Sequence, residues 1–287
     1  MMRGQGAPIQ VRVGAATDAG RHRPSNEDAF LASGSLYLVA DGMGGHAAGE
    51  IASTTVIDAF TTLAAQPSVT LEELRACVAI AITRVLNLPE GAGAGAGTTL
   101  SGVALAELDG NAYWLLLNLG DSRTYRMADG VLEQISVDHS VVQELVDIGE
   151  LTAAQASVHK QRNVITRAIG AGSAGEPDYW LFPTAPGDRI LVCSDGLTGE
   201  LDDEHISEVL AAEADPQAAA TRLVHEALLH GGHDNVTTVV VDALSTIGSA
   251  GDETLPGAFL NDGLTADFDD TIPRGQVASV VTPTEVG

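Results

Sequence analysis

Four apolar runs of the sequence each adjoin an aspartate, and this repeated arrangement constrains the fold more than any other feature. Apolar runs of this kind predict buried β-strands. The four runs are residues 37–40 before Asp41-Gly42, residues 115–120 before Asp121-Ser122, residues 191–194 before Asp195-Gly196, and residues 236–241 after Asp234-Asn235. We therefore expect four carboxylates at the ends of four core strands, each held on a rigid scaffold.

Carboxylates at strand ends could meet in one cleft. Acids that converge repel one another unless a cation lies between them, and hard oxygen ligands favour Mg²⁺ or Mn²⁺ over Zn²⁺. Glycine after Asp41 and Asp195 lets the backbone turn sharply and can bring a carbonyl close to a metal. The alternative interpretation treats each Asp-Gly as an ordinary turn. Spacing along the chain leaves both interpretations open, because convergence is a property of the tertiary structure.

The rest of the pattern predicts a layered α+β fold. Two strands, 99–106 and 112–119, are separated by Asp109-Gly110-Asn111, which is a turn signal for an antiparallel hairpin. The other predicted strands are 9–16, 36–40, 189–193 and 236–241, and the predicted helices are 47–64, 71–87, 140–148, 203–213 and 216–230. Because strands and helices cluster instead of alternating strictly, mostly antiparallel sheets fit better than a doubly wound parallel sheet.

The composition divides the chain into three parts. Residues 1–8 form an N-terminal extension, and residues 9–244 form one domain. Residues 245–287 contain seven acids against one base, Arg274, and show no sustained apolar period. This last segment is typical of a disordered acidic tail.

The charge balance excludes several classes of partner. The 287 residues include 14 Lys and Arg but 39 Asp and Glu, for a formal net charge of −25. A nucleic-acid binder or a protein that docks on an anionic membrane needs the opposite balance. No signal peptide or spanning segment is predicted, and the sparse pair Cys77 and Cys193 suits a reducing compartment. We expect a soluble cytoplasmic protein in which Cys193, inside an apolar run, is a buried inert thiol.

Two further patterns suggest ligands but favour simpler interpretations. Residues 91–97 alternate Gly and Ala, yet a dinucleotide-binding loop follows a strand and opens a helix, whereas this one follows a helix. A flexible connector is the better interpretation. His225, His230 and His233 lie near Asp234 and could bind zinc. Surface histidines at a helix C-terminus are favoured instead.

The segment from Arg23 to Asp28 could belong to the carboxylate site. The guanidinium of Arg23 suits phosphate oxygens, and Glu27 or Asp28 could join a metal site directly or through water. An exposed polar loop is the alternative.

Seven short motifs now stand in order along the chain. They are Arg23 with Asn26-Glu27-Asp28, Asp41-Gly42-Met43-Gly44-Gly45, Gly97-Thr98-Thr99, Gly120-Asp121-Ser122-Arg123, Asp138-His139-Ser140, Ser194-Asp195-Gly196-Leu197 and Asp234-Asn235. In this order they resemble the metal-dependent type 2C Ser/Thr protein phosphatases, the PPM family, and its bacterial members in particular. The resemblance covers about residues 9–242. It implies a four-layer α-β-β-α sandwich, in which two mostly antiparallel sheets are flanked by helices.

The resemblance also implies roles for individual residues around at least two Mg²⁺ or Mn²⁺ ions. Asp41 would bridge both metals, with the Gly42 carbonyl on the second metal. Asp195 and Asp234 would complete the shell of the first metal, and Glu27 would hold the second, through water. Asp121, with Asp195, would support a third and weaker metal. Arg23 would bind the substrate phosphate, so that Arg23, Asp41 and Asp195 form the catalytic group.

The implied reaction is hydrolysis of phosphoserine and phosphothreonine by a metal-activated water, without a covalent intermediate. One departure concerns the general acid. Many eukaryotic relatives carry a histidine after the first Asp-Gly, where this chain has Met43, which cannot donate a proton. The proton donor is therefore unassigned among the residues, and a metal-bound water is the expected donor. For the nearby His46 we expect a role at a helix start or at the surface.

The resemblance implies a monomeric enzyme that opposes bacterial Ser/Thr kinases. The implied substrates are phosphorylated proteins. Residues 145–170, called the flap below, would lie beside the cleft with Gly149 and Gly170 as hinges. Lys160, Arg162 and Arg167 of the flap would contact a phosphopeptide. Two other functions stay open at this point: a phosphoprotein-binding scaffold without turnover, and a hydrolase of small phosphate esters.

The acidic tail contains two similar pieces. In each, two acids precede a threonine, an aliphatic residue and a proline, at Thr254 and at Thr271. A purely solubilising tail is one interpretation. The other makes Thr254 and Thr271 kinase acceptors whose phosphates recruit a forkhead-associated domain or act back on the phosphatase.

Overall fold

The computed structural model describes residues 7–44, 47–89 and 95–246, together with the backbone of Ala258 and Phe259. The strands are β1 (Ile9–Asp18), β2 (Asp28–Ser33), β3 (Leu36–Met43), β4 (Gly97–Thr98), β5 (Leu100–Leu108), β6 (Asn111–Leu119), β7 (Arg123–Ala128), β8 (Val131–Gln134), β9 (Ile169–Gly170), β10 (Ser173–Ala174), β11 (Asp178–Pro183), β12 (Arg189–Cys193), β13 (Val236–Thr246) and β14 (Ala258–Phe259). The helices are α1 (Ala48–Phe60), α2 (Leu71–Leu86), α3 (Val141–Asp147), α4 (Ala153–Ala156), α5 (Asp195–Thr198), α6 (Asp203–Ala212) and α7 (Pro216–His230).

The strands form two antiparallel sheets. The first has the order β1-β13-β12-β7-β8. The second has the order β10-β9-β4-β3-β5-β6-β11-β14, and β2 pairs with β3 beside this path. The chain passes between the sheets several times, and one of these crossings is the short connection from β6 to β7.

The core has three apolar layers because both faces of each sheet are covered. On β3, Leu36 and Leu38 pack toward α1 and α2, while Tyr37 and Val39 pack between the sheets. On β12, Leu191 and Cys193 pack toward α6 and α7, and alternate residues again face the other sheet. This burial on both faces explains why the core strands are continuous apolar runs. The predicted four-layer α-β-β-α sandwich is thus confirmed.

Two Asp-Gly turns join neighbouring antiparallel strands, and only one of these turns was used to predict strands. The predicted hairpin is confirmed as β5 and β6, whose two-residue loop has positive φ at Asp109 (52°) and Gly110 (80°). Asp129-Gly130, with φ of 52° and 79°, joins β7 to β8 in the same way. Both pairs suit a type I′ turn. This second Asp-Gly signal marks β7 and β8, which were not among the predicted strands, and β2 and β11 were not predicted either.

The boundaries of the predicted tail differ in two places. β13 runs to Thr246, past the predicted end of the domain at residue 244, because its last two residues pair with β1. Ala258 and Phe259 pair with β11 and so depart from a wholly disordered tail. Thr254, Thr271 and residues 1–6 of the N-terminal extension lie outside the described residues. The division into three parts otherwise stays a prediction.

The described helices are short. None of them has both the length and the apolar character that crossing a bilayer requires.

Candidate active site

The antiparallel order brings the predicted aspartates to one place, where the edges of the two sheets meet. β3 and β6 both run antiparallel to β5, so they point in the same direction. Their C-terminal ends therefore lie at the same end of the larger sheet. In the smaller sheet, Cys193 at the end of β12 pairs with residues near the starts of β7 and β13. Only residues 120–122 separate β6 from β7. Asp41, Asp121, Asp195 and Asp234 therefore all lie at this junction.

The electrostatics identify these carboxylates as one cluster. Burial raises the pKa of Asp41 well above its usual value, and the charges of Asp28, Asp195 and Asp121 raise it further. Burial is also the largest cause of the raised pKa values of Asp121 and Asp195, followed by the charge of a neighbouring carboxylate in each case. Carboxyl groups perturb one another in this way only at close range.

Asp28, which the sequence offered beside Glu27 as a residue that could join a metal site, belongs to the same cluster. It lies directly opposite Asp41 in the β2–β3 pairing. Burial raises its pKa to about 7, and the charges of Asp195 and Asp234 contribute. Its Oδ2 accepts a hydrogen bond from the Ser194 hydroxyl at 2.8 Å.

The donor set of the cluster fits a hard divalent cation. In this structure the carboxylates pair with protein groups: Asp41 with Asp195 and Asp234 with Arg23. Accordingly, no three His, Cys, Asp or Glu side chains of the described ranges stand at the spacing of a formed ion site. Yet Oδ1 of Asp28 is buried without a hydrogen-bond partner among the described residues. An unpaired buried carboxylate oxygen, within a set of oxygen donors only, suits Mg²⁺ or Mn²⁺.

Gly42 packs too tightly for any side chain. A Cβ at Gly42 would lie 2.3 Å from the carbonyl oxygen of Gly49 and 2.5 Å from that of Glu27. The amide of Gly42 donates to this Glu27 carbonyl at 3.2 Å. Burial raises the pKa of Glu27, while the charge of Arg23 lowers it. Gly42 and Glu27, predicted to serve the same metal, therefore lie side by side.

Thr99 ties the carboxylates of the larger sheet together. Its hydroxyl accepts from the amide of Asp41 at 2.9 Å and is 2.7 Å from the hydroxyl of Ser122. Its own amide donates to the Asp41 carbonyl at 2.9 Å, as does the hydroxyl of Thr98. The backbone of Asp41 is thus held from both sides and linked to the residue after Asp121.

Arg23 lies at the open side of the cluster. Its guanidinium donates to Oδ2 of Asp234 at 2.6 Å, and about half of its side chain is exposed. This exposure allows an incoming anion to reach the guanidinium, which suits phosphate oxygens.

Asn235 secures the loop that carries Arg23. Its Oδ1 accepts from the amide of Glu27 at 2.8 Å. Its Nδ2 donates to the carbonyls of Ala19 and Ser25, each at 2.9 Å. Three hydrogen bonds from one buried amide therefore hold the loop from residue 19 to residue 27 against the start of β13.

The motif from Asp138 to Ser140 supports Asp121 and joins it to the flap. Arg123 donates three hydrogen bonds of 2.7–3.0 Å to Asp138. Nδ1 of His139 accepts from the amide of Gly120 at 3.2 Å, so its Nε2 carries the proton and donates to Asp178 at 3.0 Å. Burial alone would raise the pKa of Asp178, but the hydrogen bonds from His139 and Arg167 lower it.

The flap borders a cavity that opens beside the carboxylates. The cavity has a volume of about 610 Å³, and its lining includes Asp121 and Asp195 on one side and Val146, Ala156 and Arg162 of the flap on the other. The two predicted hinge glycines both adopt positive φ, 76° at Gly149 and 81° at Gly170. Lys160 and Arg162 are exposed.

Several minor predictions can also be compared with the structure. Cys193 is fully buried, and burial raises its pKa to about 12, as expected of an inert thiol. Two of the three histidines suggested for zinc have separate partners: His230 lies against the carbonyl of Glu226 and His233 against Glu200. Met43 lies in β3 beside Gly97. His46 and residues 91–94 lie outside the described residues.

Thr99, Ser122, Ser194 and Asn235 occur in the sequence motifs, but no role was predicted for them. All four are small polar residues next to a predicted ligand or in a neighbouring strand, and all four are buried. A buried hydroxyl or amide needs partners. Polar residues beside apolar runs were therefore the available signal.

We expect Asn235→Ala to loosen the Arg23 loop specifically. The substitution leaves three backbone groups without their partner, which costs about 1–3 kcal/mol of unfolding free energy. Amide exchange across residues 19–27 should quicken. The matched control is Asn87→Ala, because exposed Asn87 makes a single side-chain bond, to the Thr83 carbonyl. Equal exchange in both variants would contradict the assignment.

Comparison with known proteins agrees with the geometry. The profile of the family described as Protein phosphatase 2C matches residues 20–229. The serine/threonine protein phosphatase PstP of Mycobacterium tuberculosis is 39% identical over 247 residues, which cover 82% of this chain and 46% of the relative. The chain thus spans about half the length of that relative. The serine/threonine phosphatase stp of Listeria monocytogenes is 32% identical, with 79% of this chain and 93% of the relative covered.

Solved structures match equally well. A crystal structure of the M. tuberculosis phosphatase PstP/Ppp at 40% identity has a TM-score of 0.76, covering 82% of this chain and 99% of that one. The catalytic domain of PstP in complex with 2 manganese ions has a TM-score of 0.74 at 39% identity, with the same coverage. The predicted resemblance is confirmed: the chain belongs to the protein phosphatase 2C family.

Proposed function

We propose that the chain is a metal-dependent protein phosphatase that hydrolyses phosphoserine and phosphothreonine. The observation that carries this proposal is the convergence of buried carboxylates with an exposed arginine at their edge. The cluster concentrates negative charge and offers oxygen donors, while Arg23 offers the fork of donors that a phosphate needs. Membership of the protein phosphatase 2C family supports the same reaction.

We assign the metal ligands by combining the cluster with the family motifs. Asp41 would bridge two ions, with Asp195 and Asp234 on the first ion and Glu27 and the Gly42 carbonyl on the second. Asp121 would hold a third ion together with Asp195. PstP, a relative with 2 manganese ions in its catalytic domain, supports Mn²⁺ or Mg²⁺ in this role. Bound there, the ions would supply Lewis-acid activation of water and neutralise phosphate charge.

The protein residues position the substrate and the site. The guanidinium of Arg23 would leave Asp234 in part to bind equatorial phosphate oxygens, which gain charge as the phosphorus is attacked. Thr99 and Ser194 hold Asp41 and Asp28 through hydrogen bonds, so the carboxylates keep their place as charges change. Met43 carries no proton to donate, and the leaving serine or threonine oxygen would take its proton from solvent at the site.

The cavity beside the flap supports a protein substrate over a small phosphate ester. Its volume of about 610 Å³ exceeds what a phosphate group fills, and Arg162 in its lining can meet an acidic or phosphorylated peptide. We propose phosphoproteins made by bacterial Ser/Thr kinases as substrates, and the cytoplasm as the location.

We expect removal of Asp195 to abolish phosphate release. With a phosphothreonine peptide and Mn²⁺, Asp195→Asn should lower kcat on the order of 10³-fold, and EDTA should stop the wild-type reaction. Asp109→Asn is the matched control, because Asp109 also precedes a glycine but lies in the β5–β6 turn. Colorimetric phosphate release measures both.

Two results would redirect this proposal. A folded wild-type chain that binds Mn²⁺ but releases no phosphate from any peptide would favour a scaffold. Release from a small aryl phosphate alone would favour the small-ester hydrolase.

We expect Arg23 to act on the substrate phosphate. Arg23→Ala should lower kcat/KM for the peptide by about 10- to 100-fold, the value of a charge-assisted hydrogen bond. Arg12→Ala is the control. Arg12 lies on β1, is equally exposed and also pairs with an aspartate, Asp242. Equal kcat/KM values for the two variants would remove Arg23 from the substrate site.

We also propose that Thr254 and Thr271 of the tail are kinase acceptors. Two acids precede each of them, and the other three threonines that follow β13, Thr265, Thr282 and Thr284, lack this context. Phosphate there would add charge that a forkhead-associated domain can bind. Phosphopeptide mapping after treatment with a bacterial Ser/Thr kinase should find phosphate on Thr254 and Thr271 in preference to the other three. An even distribution would argue against the proposal.

A further inference from the structure

We propose that the outer edge of β11 and the base of the flap form a docking surface for the chain's own acidic segment, residues 260–270. β14 begins this docking. The structural part of the proposal stands on β14 and β11 alone, and its effect on substrate affinity rests on the proposed function.

β11 offers the backbone groups that such docking needs. On one side all six of its residues pair with β6. On the other side Trp180 pairs with Phe259 and Leu181 pairs with Ala258. A strand at a sheet edge accepts an extended peptide through main-chain hydrogen bonds, whatever the peptide's side chains.

The register sets the direction in which the chain leaves this edge. Because β14 runs antiparallel to β11, residues 260 and 261 would stand level with Tyr179 and Asp178. Asp178 accepts hydrogen bonds from His139 at 3.0 Å and from Arg167 at 3.1 Å. We therefore expect the chain after Phe259 to continue toward the base of the flap.

Charge favours contact between this segment and the flap. Residues 260–270 contain four aspartates and no basic residue, in a chain of net charge −25. Basic groups are concentrated at the end of β11 and on the flap: Arg75 stacks over the ring of Tyr179 at 5.2 Å, Arg167 is 42% exposed, and Lys160 and Arg162 are exposed. Nine residues beyond 261 reach up to about 30 Å, at ~3.3 Å per residue.

The consequence is competition within one molecule. A tethered acidic segment has an effective concentration in the millimolar range. It would occupy the same flap arginines that we propose for a phosphopeptide, and so raise the apparent KM of the full chain.

Amide hydrogen exchange of the 287-residue chain tests the docking and does not depend on phosphatase activity. Adjacent strand residues point their N–H groups in opposite directions, so only one of Ala258 and Phe259 can donate to β11. We expect one of Ala258→Pro and Phe259→Pro to quicken exchange in residues 178–183 at least threefold, and the other to leave it unchanged. Exchange unaltered in both variants would overturn the proposal. So would protection that depends on protein concentration, because the strand would then come from a second copy.

Charge removal tests the contact with the flap. Asp267→Asn, Asp269→Asn and Asp270→Asn together should lower the KM for a phosphopeptide about three- to tenfold at low salt, with kcat unchanged. The matched control removes three tail charges elsewhere, by Asp252→Asn, Glu253→Gln and Glu285→Gln. Equal KM values for the two triple variants would refute the competition. Failure of the proposed function would abolish turnover in every variant and leave the exchange result standing.

Discussion

The repulsion among buried carboxylates is the interaction on which the rest of this structure depends. Asp28, Asp41, Asp121 and Asp195 lie close enough for their charges to raise one another's pKa values, and burial strengthens the effect. A flexible chain would let such groups move apart. Here each carboxylate is held by a strand end, and the strands are held by three apolar layers. The large core therefore maintains an arrangement of charge that a divalent cation can stabilise.

Small polar residues connect the two sheets near the carboxylates through hydrogen bonds. Thr99 and Ser122 join the larger sheet to the β6–β7 connection, and Ser194 joins Asp28 to the smaller sheet. Asn235 holds the loop of Arg23 against β13. These bonds are buried or partly buried, where a lost partner costs more than at the surface. The loop that carries Arg23 is thus held in place by the side chain of Asn235 as well as by the pairing of Arg23 with Asp234.

The flap is coupled to the site through its base. His139 links the backbone before Asp121 to Asp178 of β11, and Asp178 also pairs with Arg167 of the flap. The same β11 carries β14 on its outer edge. The flap, the residues next to the carboxylates and β14 are consequently connected through β11, a strand that the apolar pattern did not predict.

The strands that the sequence revealed share a physical reason for being visible. β3, β5, β6, β12 and β13 are buried on both faces, so they appear as continuous apolar runs. β2 and β8 are half-buried with weak patterns, and β11 begins with an aspartate and ends with a proline, which obscures its signal. The motifs, taken in their order along the chain, indicated the site residues although several strands were not predicted. A motif depends on local sequence and not on a complete list of strands.

The sequence by itself determined the antiparallel α+β class, the four strand-end aspartates and the family, since apolar runs, turn signals and motifs are local properties. Only the tertiary structure decided that the aspartates converge, because convergence depends on which strands pair and on the three-residue crossing between the sheets. It also decided that Asp28 joins them, that Asn235 holds the Arg23 loop and that Ala258 and Phe259 pair with β11. These contacts join residues up to 216 positions apart in the chain, as Ala19 and Asn235 are, and spacing along a sequence carries no information about such distances in space.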